Sequence, residues 1–185
     1  MASSNGVEAK SMESNTKTSQ GFFVAQVMLR CLAAMLALAG VLVMLKSGQS
    51  TTVFGIEFQA RYRYSSAFRF LLGVDIAICV FCVISLISIC TFYGPKSNTK
   101  SYFSLFLHDL IAVVLLMSGC AAATAIGYVG RYGQDQTGWT KICDNVHKFC
   151  DFVMVSIALS YLSFICLFIL TVMAFTRATS CANSI

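Results

Sequence analysis

Four long apolar stretches alternate with shorter polar ones along this chain. They run from about Val24 to Leu45, Ala67 to Phe92, Phe103 to Val129 and Cys150 to Phe175. A hydrocarbon core about 30 Å thick takes about 20 helical residues to cross, and each stretch is long enough. Lipid offers backbone N–H and C=O groups no partners, so a spanning segment is either a helix or part of a closed barrel. Barrel strands alternate apolar and polar residues, whereas these stretches are apolar throughout. The pattern predicts an all-α membrane protein, a bundle of four transmembrane helices. The segments Lys46 to about Ser66 and Gly130 to Phe149 read as polar loops. Tyr93-Gly94-Pro95-Lys96-Ser97-Asn98 reads as a turn, and its proline stops a helix. Residues 1–23 read as a polar, disordered tail, residues 24–175 as the membrane domain and residues 176–185 as a second tail.

Composition strengthens this picture. Of 185 residues, 57% are hydrophobic and 11% charged, against roughly 25% charged in soluble domains. A soluble chain of this length could not bury so much apolar material in one core. The net charge of +5 is spread over loops and ends, so nucleic acid is not an expected partner. The segment Met1 to Gln20 lacks the apolar core and cleavage site of a signal peptide. Ala2 excludes the usual myristoylation signal, and Cys181 stands too far from the end for a prenylation box.

Four spans put both ends of the chain on one side. The positive-inside rule does not say which side. Lys10, Lys17, Lys96, Lys100 and Arg177 lie on the side of the ends, and Lys46, Arg61, Arg63, Arg131, Lys141 and Lys148 on the other, with Arg69 at its edge. Cysteine placement is more informative. Of nine cysteines, Cys143 and Cys150 alone sit in a loop, and they share it. Paired loop cysteines favour the oxidising side, which puts both termini in the cytosol and predicts a Cys143–Cys150 disulfide. Seven residues of continuous helix would hold the two Cα atoms about 10.5 Å apart, beyond the ~7 Å reach of a disulfide. The segment between them is therefore expected to turn back, with the fourth helix beginning near Cys150. The closed loop is expected to hold Trp139 and Phe149 at the membrane surface, where aromatic side chains favour the interface.

Charged groups inside the spans are costly and need partners. Arg30 and Asp109 each lie about six residues, or about 9 Å, into spans that cross in the same direction. They are expected to form a bidentate ion pair that orients spans one and three; the alternative is separate snorkelling to the interface. Asp75, in span two, has no evident ionic partner and reads as an unpaired acid, either protonated or bonded to a Ser or Thr of a neighbouring helix. His108 reads as a hydrogen-bonded interfacial histidine rather than a metal ligand. Gly119, Ala123 and Gly127 form a small-residue stripe that lets another helix approach, within the bundle or between subunits. Ser156, Ser160 and Ser163 share a face of span four and can donate across an interface. Cys79-x-x-Cys82 lies mid-span among Ile, Val and Phe; thiolate chemistry needs a polar setting, so apolar packing is the reading. No catalytic residue, cofactor or metal site is expected.

Several of these residues together resemble the plant Casparian strip membrane domain protein-like (CASP-like) family, which is related to the MARVEL four-helix proteins. They are Arg30 in the first span, Asp109 opening the third, and Trp139-x-x-Ile142-Cys143 followed by Phe149-Cys150 in the last loop. Ala67-Phe68-Arg69-Phe70 and Ser118-Gly119-Cys120-Ala121-Ala122-Ala123 add to the match, which covers about residues 22 to 176. The resemblance implies a multi-pass plasma-membrane protein that forms homo- and hetero-oligomers, homodimers and heterodimers included, with itself and related members. Founding members build membrane platforms that guide lignin deposition in root endodermis. Their first outer loop carries a Leu-Pro-Phe-Phe-type stretch; here it reads Thr52-Val53-Phe54-Gly55-Ile56-Glu57-Phe58. A CASP-like relative, rather than a strip-forming member, is thus implied. Asp75 stands where an uncharged Asn would be expected.

The leading expectation is a non-enzymatic scaffold that associates laterally in the bilayer and organises membrane subdomains or cell-wall-modifying machinery. A small channel or transporter using Asp75, Asp109 and Arg30 is the alternative, though these groups are few and uneven in depth. An intramembrane redox enzyme would need its Cys-x-x-Cys at the outer end of a helix.

Overall fold

Each apolar stretch becomes one long helix, and the helices overrun the stretches at their ends. In a computed structural model, which describes residues 4–53, 56–92, 99–134, 136 and 138–182, α1 is Ser4–Leu45, α2 Ser66–Phe92, α3 Thr99–Tyr132 and α4 His147–Ala182. The parts long and apolar enough to cross a membrane are Gln20–Leu45, Ser66–Thr91, Phe103–Tyr132 and His147–Arg177. Two expectations need correction. Helix begins at Ser4, where a disordered tail was expected up to residue 23. A helix already nucleated by the span extends at the cost of propagation alone, and Glu8, Ala9, Lys10, Met12, Glu13 and Lys17 are fair helix formers. The fourth helix begins at His147, about one turn before Cys150. The expected turn at Tyr93 to Asn98 lies outside the described residues.

The helices form a ring in chain order. α1 packs on α2 and α4, and α3 packs on α2 and α4, so α1 and α3 stand diagonally opposite. Buried positions recur at three- and four-residue steps: Gln26, Arg30, Ala33, Ala37, Val41 and Met44 on α1, and Phe68, Leu71, Asp75, Ile78, Cys82, Ser85 and Ile89 on α2. On α4 they are Val153, Ser156, Ser160, Ser163, Leu167, Leu170 and Ala174. That spacing keeps one face of each helix turned to its neighbours. The faces turned outward carry Met28, Leu32, Met35, Leu38, Val80, Val83, Ile165 and Phe168. Buried polar side chains are therefore interspersed with apolar ones inside, while the outward faces are apolar, as lipid rather than water surrounds the spans.

The 46–66 segment is more than a polar loop. Strands β1 (Gln49–Val53) and β2 (Ile56–Ala60) pair antiparallel in the register Gln49↔Ala60 to Val53↔Ile56. A 3₁₀ turn, Tyr62–Tyr64, leads from β2 into α2.

Candidate functional site: the polar interior of the bundle

Arg30 and Asp109 meet in the bundle interior. Arg30 Nη1 donates to Asp109 Oδ1 and Nη2 to Oδ2, both at 2.7 Å. Each side chain is 1% exposed. α1 and α3 are diagonal, so the pair crosses the interior of the bundle. The parallel two-bond geometry suits a planar fork facing a carboxylate and is stronger than a neutral contact. Beside the pair, His108 Nδ1 lies 2.9 Å from Ser85 Oγ on α2 and 3.9 Å from Asp109 Oδ1. Its ring packs on Phe81 at 4.6 Å. The histidine thus extends the polar contact from α3 to α2.

A second cluster lies nearer the other end. Asp75 has no ionic partner and takes the serine bond that was one of its two expected states: Ser160 Oγ of α4 donates to its Oδ2 at 2.8 Å. Neighbouring serines on the same face of α4 donate to backbone carbonyls of α1, Ser156 to Gly40 and Ser163 to Ala33, each at 2.9 Å. The approach depends on Gly40. A Cβ there would lie 3.4 Å from both Asp75 Oδ2 and Ser160 Oγ. A glycine on α1, an acid on α2 and a serine row on α4 therefore form one three-helix junction. Spacing made the serine face legible. The role of Gly40 was missed, because a lone glycine among Ala, Leu and Val carries no signal until its neighbours across the interface are known.

The stripe on α3 divides between two neighbours. A Cβ at Gly119 would meet Leu71 of α2 at 3.3 Å, Ala123 is fully buried, and a Cβ at Gly127 would meet Ile157 of α4 at 3.7 Å. All three positions serve packing within the chain. Cys82 is buried, and Cys79 Sγ faces the Ala34 carbonyl at 3.7 Å.

At the end away from the termini, Cys143 and Cys150 form a disulfide with their Cα atoms 5.8 Å apart. The chain reverses before the helix rather than throughout the segment: Asn145 N–H bonds the Ile142 carbonyl at 3.1 Å, and Cys150 N–H the Val146 carbonyl at 3.2 Å. That early reversal lets α4 start at His147. Gly133 ends α3 with a left-handed φ of 70°, donating its N–H to Val129 O at 2.8 Å, a common helix stop. Gln134 and Trp139 then pair backbone to backbone, and the N–H groups of Ile142 and Cys143 bond Gly130 O at 3.0 and 3.2 Å. The hairpin joins in through Gln49, whose Oε1 accepts from Phe149 N–H at 3.0 Å, satisfying a donor of the first turn of α4. Trp139 is exposed, and Phe149 is half-buried against Phe68 near the start of α2, rings 6.3 Å apart, which ties the loop to that helix. Neither the hairpin nor the Gln49 cap was read from the sequence, although the β-branched runs on either side of Phe54-Gly55 carry a hairpin signal.

Chemically, the interior is built mainly from polar contacts across helices, while buried Gln26 Nε2, Arg30 Nε and Asp75 Oδ1 have no hydrogen-bond partner among the described residues. Among the described residues, no three His, Cys, Asp or Glu side chains group as a metal site.

A family model of the Casparian strip membrane protein domain matches residues 19–166. The CASP-like protein 1F2 of Vitis vinifera is 50% identical over 164 residues, 89% of this chain and 86% of that protein. A CASP-like protein 1F2 of Ricinus communis is 49% identical over 155 residues, 83% of this chain and 77% of the relative. The CASP-like protein 1F1 of Arabidopsis thaliana is 41% identical over 153 residues, 83% of this chain and 88% of the relative. No solved structure matches. With four helices able to span a bilayer and a domain match over most of its length, the chain belongs to the CASP-like family of multi-pass membrane proteins.

Proposed function

We propose that this protein is a non-enzymatic scaffold of the plasma membrane, with both termini in the cytosol. It associates laterally with itself and with related family members and so organises a membrane subdomain and the cell-wall-modifying machinery attached to it. The observation that carries this reading is how the intramembrane polar groups are used. Arg30 bonds Asp109, Ser85 bonds His108, Ser160 bonds Asp75, and Ser156 and Ser163 bond the backbone of α1. Polarity invested in this way fixes four helices against one another. It leaves an outer face of Met, Leu, Ile, Val and Phe for lipid and for other copies. The burial of these groups speaks against a channel or transporter built on Arg30, Asp75 and Asp109: Arg30 and Asp109 are bonded to each other, and the open Oδ1 of Asp75 is as deeply buried as they are. The orientation rests on the Cys143–Cys150 bond, which belongs on the oxidising side.

Two differently tagged copies, co-expressed and extracted in a mild detergent, test the reading. They are expected to co-purify, and the native mass is expected to exceed that of one chain. A strictly monomeric mass with no co-purification contradicts it.

A further inference from the structure

The end of the bundle that carries the disulfide contains a cleft of about 660 Å³, within the range of small-molecule sites. Its walls are mainly apolar, with Phe68 of α2, Ile126 of α3 and Met154 of α4 among them. Arg61, Arg131 and Trp139 line it as well. Arg61 stands just before the turn into α2, and Arg131 in the last turn of α3, so both guanidinium groups lie where the spans end, at headgroup level. Neither has a side-chain hydrogen bond or ion pair among the described residues. Ile126 and Met154 are partly exposed on the outer face of the bundle, so the cleft opens towards lipid.

We propose that this cleft binds an anionic phospholipid, with one acyl chain along the apolar walls and the phosphate between Arg61 and Arg131. The order of chemistry along the membrane normal is that of a lipid in its own leaflet: charge at the rim, hydrocarbon below. Arginine forks match phosphate oxygens in bidentate fashion. A net negative headgroup is preferred over a zwitterionic one because the choline of the latter opposes the two guanidinium groups. This site goes beyond the scaffold reading and does not depend on it or on which leaflet the cleft faces; with the termini cytosolic, its ligand is an anionic lipid of the outer leaflet.

The sequence holds one tryptophan, and it lines the cleft. Fluorescence of Trp139 is therefore a direct probe. The purified full chain is reconstituted in vesicles of phosphatidylcholine and phosphatidylglycerol, with brominated acyl chains on one lipid or the other. Brominated phosphatidylglycerol is expected to quench Trp139 with a preference of roughly tenfold over brominated phosphatidylcholine, given two cations near the surface. The double variant Arg61→Gln/Arg131→Gln is expected to reduce the preference to near unity. Lys141→Gln/Lys148→Gln, altered outside the cleft lining, is expected to keep it. Inorganic phosphate at millimolar concentration is expected to leave the quenching unchanged, because the tail holds the lipid. Equal quenching of the native chain by the two lipids overturns the proposal, a result that does not depend on any variant folding. So does displacement by phosphate, retention of the preference in the arginine variant, or its equal loss in the lysine variant.

Discussion

Gly40 and Asp75 show how single residues set the helix contacts. The backbone of α1 reaches the serine face of α4 only because position 40 lacks a side chain. Gly40→Leu would drive a branched side chain into Asp75 and Ser160, and overpacking of this kind costs about 1–3 kcal/mol. A lowered thermal midpoint in mild detergent, followed by circular dichroism, is the expected outcome, with Gly40→Ala milder. Asp75 makes the opposite prediction. One of its oxygens accepts from Ser160, while Oδ1 has no partner among the described residues. An amide keeps the acceptor and removes the cost of burying a charge. Asp75→Asn is therefore expected to match or exceed the native midpoint, whereas Ser160→Ala, which leaves a buried acid oxygen without its donor, is expected to lose about 1–3 kcal/mol. A clear fall in the midpoint of Asp75→Asn would mean that the carboxylate itself is needed.

The elements were unequally legible. Helix existence follows from the length and continuity of the apolar runs, because lipid leaves the backbone no other choice. Helix facing does not follow, since Leu32 and Met35 on the lipid side are as apolar as Met44 and Val41 inside. Only the polar residues, Arg30, Asp75, Asp109 and the serines of α4, mark the inner face. They also made the candidate site readable as a set, although the partner of Asp75 depended on the ring order of the helices. The loop between α3 and α4 was legible through its cysteines, but its hairpin neighbour was not, because Gln49 and Phe149 are a hundred positions apart in sequence. Reducing the Cys143–Cys150 bond, or replacing both residues with Ser, is expected to destabilise the fold by roughly 2–3 kcal/mol, since the closed loop is short. Non-reducing peptide mapping after alkylation is expected to recover the two cysteines linked. Gly133→Ala should also destabilise the loop: its φ is 70°, and a Cβ there would sit 2.8 Å from the Trp139 carbonyl. A Gly133→Ala variant with an unchanged midpoint would show that this loop contributes little.

For the whole molecule, a few polar groups are set into an otherwise apolar core, and the Arg30–Asp109 pair is the clearest instance. It joins the two helices that do not otherwise pack as neighbours and so acts on the bundle as a unit. Sidedness is a whole-molecule property too. With tags at both ends and sealed plasma-membrane vesicles, external protease is expected to leave both tags intact; cleavage of either would reverse the orientation. The central claim is that the buried polar groups hold the helices together by pairing with one another. A double-mutant cycle on Arg30 and Asp109 tests it most directly, read as the thermal midpoint of the full chain in mild detergent. Arg30→Gln and Asp109→Asn alone each leave a buried charge unpaired and are expected to cost about 3–5 kcal/mol. The double variant, with no charge stranded, is expected to recover part of that loss. A double variant showing the sum of the two single losses would contradict the account, because it would mean that the two side chains contribute to the bundle independently.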